Sequence, residues 1–270
     1  MVDIHSHLLF GLDDGSPDLE TSIKMAQIAV KDGITKVVCT PHASPQFPFS
    51  PEKIASHIAN LRETLAGASI PLDLGIGCDF HMSVENLNSA LSLPRRYTIN
   101  ATEYLLIELP DFGIPPQLGE IFYRMRLRGI TPILTHPERN ATLQRQPERL
   151  IPWLRGGLLM QVTANSLTGG MGKRAQEMSE RFLRDRWVHV LATDSHNLST
   201  RPPQLRAARE RLAALCGEEY SILLCTENPE AIFAGRALPE QQAMRGLKND
   251  RHNSEEPWWQ RLTNSLLYRG

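Results

Sequence analysis

Short apolar, β-branched runs alternate with amphipathic stretches along most of this chain. The strand-like runs fall at Val2–Ile4, Lys36–Thr40, Leu72–Phe80, Tyr104–Leu109, Thr131–Thr135, Leu158–Thr163 and His189–Thr193. Helix-like segments separate them at Asp18–Lys31, Pro51–Leu65, Pro116–Arg128, Arg174–Arg184 and Pro203–Leu215. In the first of these, Leu19, Ile23, Met25, Ala26, Ile28 and Ala29 form a broad stripe near the helical period. Asp18 stands where an N-cap belongs, and Gly33 and Gly129 stand where helices end and lead back into strands. Seven strands alternating with helices predict a parallel α/β architecture.

The character changes after Pro239. Gln241–Pro257 is polar and lacks apolar periodicity, so it reads as a linker or frayed terminus. Pro257–Tyr268 then sets Trp258, Trp259, Leu262, Leu266 and Leu267 on one helical side, which predicts a short terminal helix. The expected organisation is one α/β unit over residues 1–236 and an appendage over 237–270.

Composition narrows the classes. A length of 270 residues alone allows one large domain or two. A hydrophobic content of 41% with 22% charged residues is that of an ordinary globular chain. A net charge of -1 lacks the footprint of a nucleic-acid binder and gives no reason to bind anionic membranes. No apolar run reaches the roughly 18 residues of a membrane span. Met1–His7 has no basic segment followed by an apolar one, so a cytoplasmic protein without signal peptide is expected. Cys39, Cys78, Cys216 and Cys225 have no Cys-x-x-Cys spacing, which disfavours both a zinc finger and a disulfide framework.

The chemistry lies at the C-terminal ends of the predicted strands. The first ends in Asp3-Ile-His5-Ser-His7, followed by Asp13-Asp14-Gly15, and the second in Thr40-Pro-His42. The next three end in Asp79-Phe-His81, in Glu108 and in His136-Pro-Glu-Arg139, and the seventh in Asp194-Ser-His196. Six of the seven strands thus deliver a His, Asp or Glu to the edge where parallel α/β folds place active sites. Residues two apart on a strand share a face, so His5 and His7 can converge on one ion, as can Asp194 and His196. Imidazoles and carboxylates without thiolates suit zinc, manganese or iron(II). Eight or nine candidates exceed the roughly three or four protein ligands of a single catalytic metal, so two or three neighbouring ions are expected, bridged by a carboxylate such as Glu108. His57, in a helix, His189, at the start of its strand, and His252, in the polar tail, read as structural.

Such a cluster suits hydrolysis, because adjacent cations acidify a water and neutralise a phosphoryl group. Arg139 and Arg201 follow His136 and His196 on the same loops, where a guanidinium can bind phosphate through two parallel hydrogen bonds. A thiolate phosphatase would need Cys-x5-Arg. Six residues after the four cysteines stand Pro45, Val84, Ile222 and Ala231, so that route is excluded.

With Asp13-Asp14-Gly15, the opening Asp3-Ile-His5-Ser-His7 resembles that of the PHP (polymerase and histidinol phosphatase) superfamily. Thr40-Pro-His42, Glu108, Gly129–Arg139, Asp194-Ser-His196-Asn-Leu and Arg201-Pro-Pro narrow the resemblance. Together they are similar to the manganese-dependent bacterial tyrosine-protein phosphatases of capsule and exopolysaccharide operons, the CpsB/YwqE type. The resemblance covers about residues 1–236. It implies a PHP-type distorted (β/α)7 TIM-like barrel, with two or three Mn2+ ions (Fe, Zn or Mg as alternatives). The implied ligands are His5, His7, Asp14, His42, Asp79, Glu108, His136, Asp194 and His196, with Arg139 and Arg201 binding phosphate. Asp79 stands where the family usually has Glu, and His81 is a candidate to supplement it. The implied substrate is the phosphotyrosine-containing tail of a bacterial tyrosine kinase. The alternatives are a small-molecule phosphatase of the histidinol-phosphatase kind, another phosphoesterase, and a non-catalytic scaffold. A homo-oligomer is allowed.

Overall fold

Every strand pairing is parallel, so all strand C-termini reach one edge of the sheet. The computed structural model describes residues 1–110 and 113–246; the expected Trp258–Trp259 helix and His252 lie outside the described residues. Among the described residues, nine strands occupy seven positions. These are β1 (Val2–Ser6), β2 (Lys36–Cys39) continued by β3 (His42–Ala43), β4 (Asp73–Ile76) continued by β5 (Asp79–His81), β6 (Tyr104–Glu108), β7 (Thr131–Leu134), β8 (Leu159–Thr163) and β9 (Val190–Ala192). The order runs β1-β2-β4 and β3-β5-β6-β7-β8-β9. The sheet then curls back on β1. Asp194 N–H donates to the His5 carbonyl and His7 N–H to the Ser195 carbonyl, each at 2.8 Å, beside a parallel bridge between Ser6 and Ser195. This is the distorted (β/α)7 barrel that the resemblance implied.

Two expected strands are broken. Pro41, which has no N–H for a ladder, interrupts the second. Gly77 and Cys78 interrupt the third, where Gly77 N–H reaches the Cys39 carbonyl at 3.0 Å. Both breaks fall just before the site and aim His42 and Asp79. A third irregularity is a bulge. On β1, the step from Val2 to Ser6 pairs with the shorter step from Lys36 to Cys39 on β2. The extra residue lets Ile4 pack in the barrel interior with Val38, Leu106, Ile133 and Val190 while His5 faces Asp79 above them. The interior therefore has an apolar floor and a polar mouth.

Helices cover the outside and bury the larger apolar cluster. The Leu19–Asp32 helix begins as expected, with Asp18 accepting from Thr21 N–H at 2.8 Å, and ends at Gly33 in the left-handed region, φ 93°. The helices at Val84–Ser92, Ala141–Arg145, Leu150–Arg155 and Asn228–Phe233 were not anticipated. No described helix is long and apolar enough to cross a membrane. The described part of the polar tail is docked where a linker was expected. Gln241 and Asn228 exchange hydrogen bonds of 2.9 and 3.0 Å, while Arg245 N–H reaches the Asp185 carbonyl at 2.7 Å.

Candidate metal centre

At the strand C-terminal edge all nine expected ligands form one connected cluster. Register explains part of it: His42 on β3 pairs with Asp79 on β5, and His81 on β5 pairs with Glu108 on β6. Directly paired residues on parallel neighbours point to the same face. His7, Asp14, His42 and His196 bring one donor atom each within 4.8 Å of one another, as do His5, His7 and Asp79, and His42, Asp79 and Glu108. His136 Nε2 stands 3.6 Å from Glu108 Oε1, on the side away from His42.

The spacings suit bound cations. His5 Nε2 lies 3.5 Å from Asp79 Oδ2 and 3.4 Å from Asp194 Oδ1, and Asp14 Oδ1 lies 3.4 Å from His42 Nε2 and 3.5 Å from His196 Nε2. Direct hydrogen bonds would close to about 2.9 Å. Two donors on one ion at bonds of about 2.1 Å stand about 3.0–3.4 Å apart. His5 Nε2, His7 Nε2, His42 Nδ1 and both carboxylate oxygens of Asp79 are buried without hydrogen-bond partners. Buried polar atoms are rarely left so, and one imidazole–carboxylate set with several orphaned donors fits divalent metal. Asp79 lies between His5 and His42, 3.5 Å from each, so the shortened side chain still reaches both groups. His81 sits further out, with Nδ1 3.7 Å from Glu108 Oε2.

Asp194 joins the cluster to the two expected arginines. Its Oδ1 faces His5, His7 and His196 at 3.4, 3.5 and 3.6 Å. Its Oδ2 accepts from Arg139 at 2.6 Å and Arg201 at 2.5 Å. Both guanidiniums are partly exposed and so border the mouth of the site. Asp194 and His136 adopt left-handed backbone, φ 52° and 34°, which costs non-glycine residues free energy and concentrates at functional sites.

The charges follow. Burial would lower the His7 pKa, but Asp13 and Asp194 hold it up to about 10. Burial and the nearby Arg139 push His136 down to about 3. Burial opposes ionisation of Asp194, yet His5, His7, His136 and Arg201 hold its carboxyl well below the usual range.

Sequence reasoning missed the residues that orient the ligands. Asp13 Oδ2 accepts from His7 Nδ1 at 2.6 Å and from His42 N–H at 2.9 Å, which fixes the His7 tautomer and aims Nε2 inward. Gly15 permits this fold-back, since a Cβ there would lie 2.3 Å from the His7 carbonyl oxygen. Gln161 on β8, the strand without a candidate ligand, holds His5 Nδ1 at 3.0 Å. Glu138 accepts from Thr163 N–H at 3.0 Å and ties the His136–Arg139 turn to β8; burial pushes its carboxyl up to about 7. Asp13 and Gly15 lie inside the Asp13-Asp14-Gly15 motif and Glu138 inside the His136–Arg139 turn, whereas Gln161 lies in neither. His57 and His189 are structural as expected: His57 stacks on Phe10, and His189 Nδ1 accepts from Met160 N–H at 3.2 Å.

Known proteins share this architecture. Residues 1–234 match the family model described as capsular polysaccharide synthesis, CpsB/CapC. Over 242 residues the chain is 32% identical to the tyrosine-protein phosphatase YwqE of Bacillus subtilis (strain 168), covering 89% of this chain and 94% of that one. It is 29% identical over 244 residues to the tyrosine-protein phosphatase CpsB of Streptococcus pneumoniae, covering 88% of this chain and 100% of the other. A solved structure from work on YwqE and CpsB, described as unique metal-dependent tyrosine phosphatases, superimposes with TM-score 0.85 at 31% identity, over 92% of this chain and 100% of that chain.

Proposed function

This chain belongs to the CpsB/CapC family, and we propose that within it the protein is a metal-dependent tyrosine-protein phosphatase of capsular or exopolysaccharide synthesis. The observation that carries the proposal is the double role of Asp194, one oxygen facing three imidazoles and the other holding Arg139 and Arg201. Cation donors and phosphate donors share one carboxylate, so a phosphoryl group bridging them meets both.

The proposed metal ligands are His5, His7, Asp14, His42, Asp79, Glu108, His136, Asp194 and His196, holding two or three ions, with Mn2+ the favoured metal. Cations held by these residues would supply an acidified water and offset the phosphoryl charge. The chain's own residues do the positioning. Asp13 and Gln161 hold His7 and His5 in the tautomers that present Nε2. Arg139 and Arg201, fixed by Asp194, turn their remaining N–H donors to non-bridging phosphate oxygens and stabilise charge that grows toward the transition state. The water oxygen would bond to phosphorus, its proton passing to solvent, as the phosphorus–phenolic oxygen bond breaks and the electron pair leaves on tyrosinate, which solvent then protonates. Tyrosinate is a tolerable leaving group because the phenol has a pKa of about 10. The favoured substrate is protein phosphotyrosine, as the relatives' names suggest, on the tail of a bacterial tyrosine kinase in the cytoplasm, as the family resemblance implies.

The test compares initial rates on a phosphotyrosyl peptide and on histidinol phosphate with Mn2+-loaded protein. Preference for the peptide is expected, and a strong preference for histidinol phosphate would replace this assignment with a small-molecule phosphatase.

A further inference from the structure

A second cavity shares a wall with the metal centre. It has a volume of about 290 Å³, and its lining includes Pro41, His42, Phe47, Phe49, Ile54 and Lys53. His42 belongs to both places: its nitrogens face Asp14, Asp79 and Glu108, while the Phe47 ring lies nearly parallel to the imidazole, 5.8 Å away at 15°. Phe49 is braced from behind by Tyr97, ring centroids 4.9 Å apart. The loop carrying both phenylalanines is built stiff. Pro45 and Pro48 restrict it, and Ser44 closes a turn in which its N–H donates to the Phe47 carbonyl at 3.0 Å and its Oγ accepts from Phe47 N–H at 3.1 Å. Apart from His42, the polar side chains of the lining are Gln46, Ser50 and Lys53.

The surroundings of the metal centre are therefore asymmetric. A small cavity of about 120 Å³ lined by Glu108, His136, Arg139 and Asn140 is polar, and the cavity beyond His42 is aromatic. We propose that the Phe47–Phe49 cavity is a subsite for the phenyl ring of an aryl phosphate, and that it gives the enzyme its selectivity for phosphotyrosine. One ether oxygen separates the ring of phosphotyrosine from its phosphorus, so a phosphate that spans the metal centre from the arginines toward His42 puts the ring against the residues next to His42. An aromatic ring gains from offset or edge contact with Phe47 beyond its buried area. A phosphoserine or a phosphosugar would leave the apolar wall wet. Lys53 at the rim repels the ammonium of an amino alcohol phosphate and accommodates an acidic peptide flank. This assignment rests on the phosphatase proposal above.

Competitive inhibition by phenylphosphonate and methylphosphonate tests it on the metal-loaded full chain, since the two share the metal-seeking group and differ by the ring. Phenylphosphonate is expected to bind at least roughly tenfold tighter to the wild type, and Phe47→Ala to reduce that ratio by roughly five- to tenfold. Phe47→Leu keeps the apolar volume of the loop without the ring, and is expected to reduce the ratio by a smaller factor. A wild type that hydrolyses phosphotyrosine but binds both phosphonates equally overturns the subsite alone. So does a ratio that stays within twofold of wild type in both variants. A metal-loaded wild type inactive on phosphotyrosine overturns the phosphatase assignment and the subsite with it.

Discussion

Asp194→Asn removes one charge at the point where the metal centre meets the arginines. The replacement is isosteric, and asparagine tolerates the left-handed backbone that Asp194 adopts at φ 52°. The barrel should therefore survive while the site loses its junction. Two charge-assisted hydrogen bonds are affected, from Arg139 at 2.6 Å and Arg201 at 2.5 Å. Such bonds contribute about 1.5–3 kcal/mol each, so about 3–6 kcal/mol of positioning is at stake. At about 1.4 kcal/mol per decade this is a fall of roughly 10²–10⁴ in kcat/KM. The amide keeps one oxygen; turned to the two arginine donors, it points its NH2, which cannot ligate, at His5, His7 and His196, so bound metal should fall by about one ion per chain. Steady-state rates on a phosphotyrosyl peptide, elemental analysis and a thermal melt measure the three quantities. A folded Asp194→Asn enzyme within fivefold of wild type would refute the role given to this carboxylate.

Removing the orienting groups should act through the metal. Asp13→Asn and Gln161→Met are each expected to weaken metal binding or activity roughly 10–100-fold, read by metal titration; unchanged titrations would mean that His7 and His5 need no support. Thiol chemistry should be irrelevant, because Cys39 and Cys225 are buried with pKa values pushed up to about 12. Alkylation of the native protein is expected to leave the rate unchanged, and inactivation in step with alkylation of a cysteine would contradict this. His189 supplies a pH dependence away from the site. Burial lowers its pKa to about 4, below the unfolded value of about 6.5. Between those values the unfolded chain binds more protons, so the contribution is full above pH 6.5 and lost as pH falls toward 4. It amounts to about 3 kcal/mol, and His189→Gln should flatten the stability profile of the metal-free protein across that window; an identical profile would refute it.

What could be seen in the sequence follows from how each residue contributes. Strand-end ligands were legible because a parallel barrel sends every strand's C-terminus to one edge, so His5, His42, Glu108 and Asp194 announce themselves by position. Pairing does the rest, as with His42 opposite Asp79. Gln161 was not legible. A neutral amide in mid-strand looks like any half-buried polar residue, and its role depends on facing His5 across the barrel, 156 residues away in sequence. The bulge in β1 was also invisible, because no Gly or Pro marks it; it is set by packing Ile4 inside while His5 turns to Asp79. The helix at Leu150–Arg155 was hidden by its brevity and by Pro152, which is tolerated near a helix start. The docking of residues 241–246 rests on hydrogen bonds to Asn228 and Asp185 rather than on apolar periodicity.

In the proposed mechanism these imidazoles and carboxylates hold the ions that drive phosphotyrosine hydrolysis. Chelated protein titrated with Mn2+, with bound metal and peptide turnover followed in the same samples, tests it most directly. Turnover should fall to background on chelation and return as two or three ions bind per chain. Full activity in chelated protein carrying less than about one ion per chain would contradict it.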